Sequence, residues 1–112
     1  MSQDVASLEL DACWPDGRRD RIRVSLGAPY RDPVLGAWRC PVRLDGLYAE
    51  LRPIAGEDSL QALTLALGLI HRLLSDVTER GARLMHPAAS AQAPAEEFQL
   101  DTYFLAWERR AE

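Results

Sequence analysis

Two periodicities divide the chain. Up to residue 52, apolar and polar positions alternate in short runs; between Asp58 and Gly81 they recur at steps of three and four. Leu60, Leu63, Leu67, Ile70, Leu74 and Val77 fall on one side of a helix of about 3.6 residues per turn, and Ala66 and Leu73 widen that stripe. Asp58 is a suitable N-cap, and Gln61 three residues on completes a capping-box pattern. Gly81 suits the left-handed position beyond the C-terminus, and Asp76 and Arg80 are spaced for an i, i+4 ion pair with the acid first. Leu65 and Leu69 lie off the main stripe and imply a second contact, with the C-terminal segment or with another subunit.

The alternating runs predict strands. In Val5–Trp14, residues Ala6, Leu8, Leu10, Ala12 and Trp14 share one face, and Ser7, Glu9, Asp11 and Cys13 the other. Pro15-Asp16-Gly17 signals a turn, and Asp20–Leu26 alternates again, so the two runs read as a hairpin. Gly27–Gly36 reads as a loop. Ala37–Asp45 reads as a third strand with Trp38, Cys40, Val42 and Leu44 inward; Pro41 cannot donate to a ladder and belongs at an edge or bulge. Asp45-Gly46 marks another hairpin, and Leu47–Arg52 reads as the fourth strand.

Ala82–Met85 has room for a short strand. Residues 86–95, HPAASAQAPA, read as a mobile loop, and 96–112 as a docking segment. Phe98–Trp107 alternates as a strand does, yet Glu96 and Glu97 before it and Arg109 and Arg110 after it frame a helix; its aromatic content favours the strand. The whole predicts a single α+β domain over 1–112: an antiparallel β-meander of about four strands, one long α-helix across its apolar face, and a C-terminal aromatic strand or helix.

WRCPVRLDGL at Trp38–Leu47, followed by GEDSLQALTLALGLI at Gly56–Ile70, resembles an uncharacterised family of small bacterial proteins, a domain of unknown function. That family pairs a Trp-Arg-Cys-Pro strand with a glycine turn and a Ser-x-Gln-Ala-Leu-x-Leu-Ala-Leu helix. The likeness covers roughly residues 8–75. It supports the fold and implies no activity.

Composition narrows the classes. The 112 residues carry a net charge of −4, which argues against nucleic acid as a partner. All thirteen basic residues are arginine, a mark of a GC-rich bacterial genome. The opening residues lack the pattern of a signal peptide, and no uninterrupted apolar run reaches the roughly 20 residues of a membrane span, so the expectation is a cytoplasmic protein with no membrane partner. Two cysteines do not make a disulfide framework.

Candidate chemistry is thin. Cys40 lies between Arg39 and Pro41, where a nearby guanidinium would favour a thiolate, but it shares the inward face of Trp38 and Val42 and reads as a core residue. His71 sits at the edge of the helix stripe. Two histidines and two cysteines without ligand spacing predict no metal and no cofactor, and no phosphate loop or serine elbow occurs. The outer sheet face should carry Arg21, Arg23, Arg39 and Arg43 beside Glu9, Asp11 and Glu50. That is either a solvated ladder of ion pairs or a docking patch for an acidic partner.

The functional expectation is a non-enzymatic protein-interaction module, of the kind that neutralises a toxin as an immunity protein or serves as a small adaptor, using Arg21, Arg23, Arg39 and Arg43. The alternative is a small-ligand protein or minor enzyme with a pocket lined by Trp14, Trp38, Cys40 and His71. The chain is expected as a monomer, or as a homodimer through Leu65, Leu69 and the C-terminal segment.

Overall fold

A computed structural model describes residues 4–48, 50–88 and 95–104. It is α+β; the described residues form seven strands and a long helix in the order β1 (Asp4–Cys13), β2 (Arg19–Gly27), β3 (Tyr30–Asp32), β4 (Ala37–Cys40), β5 (Val42–Asp45), β6 (Ile54–Gly56), α1 (Ser59–Glu79) and β7 (Arg83–Met85). Residues 100–104 add a helical turn. The strands form two antiparallel sheets, β5-β2-β1-β7 and β3-β4-β6.

The β1–β2 hairpin follows the alternation. Leu8 lies opposite Val24 and Leu10 opposite Ile22 on the core side, while Glu9 faces Arg23 and Asp11 faces Arg21 on the other. The turn closes as Gly17 N donates to Trp14 O at 3.0 Å and Arg18 N to the Asp16 carboxylate at 2.8 Å. The rest of the sheet region departs from a simple meander. The expected third strand is divided at Pro41: β4 belongs to the small sheet and β5 to the large one. Proline has no N–H for a ladder, so the chain changes sheets there, and Pro41 O instead accepts from Gly27 N at 3.0 Å.

Two further expectations change. The described residues of the expected fourth strand, 47, 48 and 50–52, form no strand: Leu47 N and Tyr48 N both turn back onto Leu44 O, and the second pairing partner of β4 is Ile54–Gly56. The presumed loop Gly27–Gly36 contains β3. Of residues 86–95, 89–94 lie outside the described residues, as does Leu105–Trp107 at the end of the ambiguous aromatic run. In the described part of that run, residues 100–104 are helical and not the expected strand; Glu97, just before it, bridges to Met85.

Helix α1 matches its caps. The Asp58 carboxylate accepts from Gln61 N at 2.7 Å, and the Gln61 side chain accepts from Glu57 N at 2.7 Å, one residue before the cap itself. Gly81 takes a positive φ of 109°, and Arg80 pairs with Asp76 at 2.9 Å. The buried line is Ala62, Ala66, Ile70, Leu74 and Val77. Leu60 and Leu67, expected on the apolar face, are 72% and 38% exposed. The stripe is rotated toward the alanines because α1 presses closely on the small sheet: a Cβ on Gly56 would come within 2.5 Å of Ala62 N. With 21 residues and an 18-residue window of mean hydropathy 1.2, α1 is also long and apolar enough to cross a membrane by those measures alone. Its alanine line joins Leu10, Ile22, Cys40, Val42, Leu44 and Leu84 in the core.

Candidate functional site

Arg21, Arg23 and Arg43 share the outer face of the large sheet, as alternation requires, and each meets a carboxylate. Arg21 Nε lies 2.5 Å from Asp11 and its Nη1 3.2 Å from Glu9. Arg23 reaches Asp4 at 3.5 Å and Glu9 at 4.0 Å, and Arg43 reaches Asp45 at 3.2 Å. The hydrogen bond to Asp11 raises the Arg21 pKa further. Arg21 and Arg23 pair across strands and Arg43 within β5; apart from Arg21–Asp11, whose carboxylate is buried, these are exposed pairs worth roughly 0–1 kcal/mol each. An acidic partner would have to displace these internal anions. Arg39 stands apart, on β4 of the small sheet.

The four residues expected to line a pocket lie on three separate parts of the chain: Trp14 after β1, Trp38 and Cys40 on β4, and His71 on α1. Trp14 donates from Nε1 to Asp20 at 2.9 Å at the end of the first hairpin, with the Arg18 guanidinium 4.8 Å from its ring centre. Trp38 lies on β4 opposite Arg31. Cys40 is fully buried, its Sγ 3.6 Å from Gly27 O, and burial pushes its thiol pKa up, away from the thiolate needed for attack. His71 pairs with Asp101 at 3.3 Å and meets Phe104 edge-on at 5.4 Å. The apolar hollow between α1 and the large sheet is instead lined by Ala6, Leu8, Leu67, Ile70, Tyr103 and Phe104, among others, and holds about 90 Å³. Pockets for small-molecule ligands usually run from about 300 Å³ upward. Among the described residues, no cluster of three His, Cys, Asp or Glu side chains is placed to hold a metal.

Leu65 and the C-terminal segment also occupy different sides of α1. Leu65 is exposed and flanks a shallow hollow with Ile54, Leu69 and Arg72, whereas Tyr103 and Phe104 sit beside Leu67 and Ile70.

The β3–β4 hairpin, where a loop is expected up to Gly36, carries the most exposed large apolar side chain among the described residues, Val34. Tyr30, Arg31 and Asp32 pair with Arg39, Trp38 and Ala37. Between the strands, one Asp32 carboxylate oxygen accepts from Val34 N at 2.9 Å and Leu35 N at 3.3 Å; the other accepts from Arg39 Nε at 3.0 Å. Gly36 N closes the turn onto Asp32 O at 2.8 Å. Arg39 first, and then the two backbone donors, hold the Asp32 pKa below its ordinary value. The fixed tip carries Val34 at 88% and Leu35 at 63% exposure, flanked by exposed Tyr30. The available signal was Asp32-Pro33 followed by Gly36, a turn with an Asx acceptor at its start.

No curated protein and no solved structure matches the chain. A family model does match, over residues 8–93, and by it the chain belongs to a family defined by a domain of unknown function, DUF6968.

Proposed function

We propose that this chain is a non-enzymatic protein-binding module of a bacterial cytoplasm, an immunity-type protein or adaptor, and that the β3–β4 hairpin is its contact point. One observation carries the reading. An ionic and hydrogen-bonded brace around Asp32 fixes a turn whose apolar side chains, Val34 and Leu35, stay largely exposed. Ordering a loop in advance removes entropy that binding would otherwise cost. Tyr30, Arg31 and Trp38 on the same hairpin are of the types enriched at interface hot spots.

The test is affinity purification from the native host with the wild-type chain, with Val34→Asp/Leu35→Asp, and with Arg21→Ala/Arg43→Ala. The reading expects a discrete protein partner that is lost with the tip variant and kept with the arginine variant. Recovery of no specific partner, or retention of the partner by the folded tip variant, contradicts it.

A further inference from the structure

β1 pairs with β2 from end to end, but β7 covers its other edge only at Asp11, Ala12 and Cys13. Among the described residues nothing pairs with that edge over residues 4–10. An open edge presents a row of unsatisfied N–H and C=O groups, and proteins commonly guard it with proline, lysine or a covering segment. The stretch DVASLEL contains neither proline nor lysine. Its two charges, Asp4 and Glu9, lie 3.5 and 4.0 Å from the Arg23 guanidinium of the neighbouring strand, so the edge is close to neutral. The irregularity between Asp4 and Ala6 bends only its outer end.

We propose that this edge pairs antiparallel with the same edge of a second copy about a two-fold axis at Ser7, joining two four-stranded sheets into one. A two-fold axis perpendicular to the sheet keeps core faces on one side, so only registers that match like faces are allowed. An axis at Asp4 or Glu9 would set identical charges opposite each other, which destabilises a ladder. An axis at Ala6 or Leu8 leaves part of the edge unpaired. The axis at Ser7 pairs the whole stretch: Ser7 with Ser7, Ala6 with Leu8, Val5 with Glu9, Asp4 with Leu10. No like charges meet. On the core side the joint brings together exposed Ala6 and half-buried Leu8 of both copies, beside the hollow formed by Leu67, Tyr103 and Phe104. The contact is independent of the β3–β4 hairpin and leaves it open.

Light scattering on the full chain tests this. The expected mass is twice 12.5 kDa at high concentration, falling toward one copy on dilution. Ser7→Pro is expected to give one copy at all concentrations. Because proline in β1 also threatens its pairing with β2, a second variant is needed: Ser7→Cys in a Cys13→Ser background should give a covalent dimer under mild oxidation, while Val34→Cys in that background should not. A single-copy mass from micromolar to millimolar concentration overturns the proposal. So does a dimer that survives Ser7→Pro and yields no Ser7→Cys cross-link, which would place the contact elsewhere, as would a monomer whose residue 4–10 amides are protected from exchange by its own chain.

Discussion

At the scale of single residues, Asp32 is the most informative side chain. Its folded pKa is depressed, chiefly by the Arg39 hydrogen bond, so its brace is in place above the ordinary carboxylate value of 3.8 and is lost as pH falls through the lower folded value. Amide exchange should therefore find Val34 and Leu35 protected at neutral pH and loosened only in strong acid. Asp32→Asn, whose amide group cannot accept from Arg39 as well as from the turn, should expose both amides at neutral pH. The thiols offer a second check. Cys40 is sealed in the core and its pKa is raised, while Cys13 is half-buried at the sheet end. A thiol reagent at neutral pH should titrate one cysteine in the folded chain and both after unfolding. The inward place of Cys40 was legible from alternation with Trp38 and Val42. The Asp32 brace was not, because it depends on Arg39 returning across a hairpin that local composition concealed.

At the scale of elements, α1 shows what periodicity can and cannot say. Its limits and caps were legible because they rest on neighbouring residues: Asp58, Gln61, Asp76, Arg80 and Gly81. The rotation of its buried face was not, because hydrophobicity weights leucines above alanines, whereas close approach to β6 selects Ala62 and Ala66. Leu74→Ala should then destabilise by about 2–5 kcal/mol, while Leu60→Ala, largely exposed, should change stability by less than about 0.5 kcal/mol, both read from urea unfolding. The two glycines near the helix should diverge in the same assay. Gly56→Ala drives a methyl into the backbone of Ala62 and should cost about 1–3 kcal/mol. Gly68→Ala meets nothing within 4 Å and should stabilise by roughly 0.5–1 kcal/mol. The strands divide likewise. β1 and β2 announce themselves because both carry long alternation around a tight turn. Leu47–Arg52 alternates too, but the strand that pairs with β4 begins after Pro53, and only the long-range β4–β6 pairing selects it.

At the scale of the molecule, the two sheets set the surfaces apart. The large sheet turns a face of mutually neutralised arginines and carboxylates outward, and beyond β7 it ends at a side of β1 that no described residue pairs with. The small sheet carries the hairpin whose tip stands out from the core. The outer-face residues Arg21, Arg23 and Arg43 could be placed from alternation alone. That Arg39 belongs to another sheet follows from the break at Pro41, which likewise puts Trp38 and Cys40 on a different sheet from the hairpin that carries Trp14. On the proposed reading, a partner meets the apolar side chains that the fold leaves outside and not the paired charges of the large sheet.

The most direct measurement is photo-cross-linking in the native host from a benzophenone side chain placed at residue 35, with residue 60 on the exposed flank of α1 as the control. Both positions are open, at 63% and 72% exposure, so reach alone does not distinguish them. The account predicts one discrete cross-linked protein from residue 35 and none from residue 60. The same cross-link from residue 60, with none from residue 35, would contradict it.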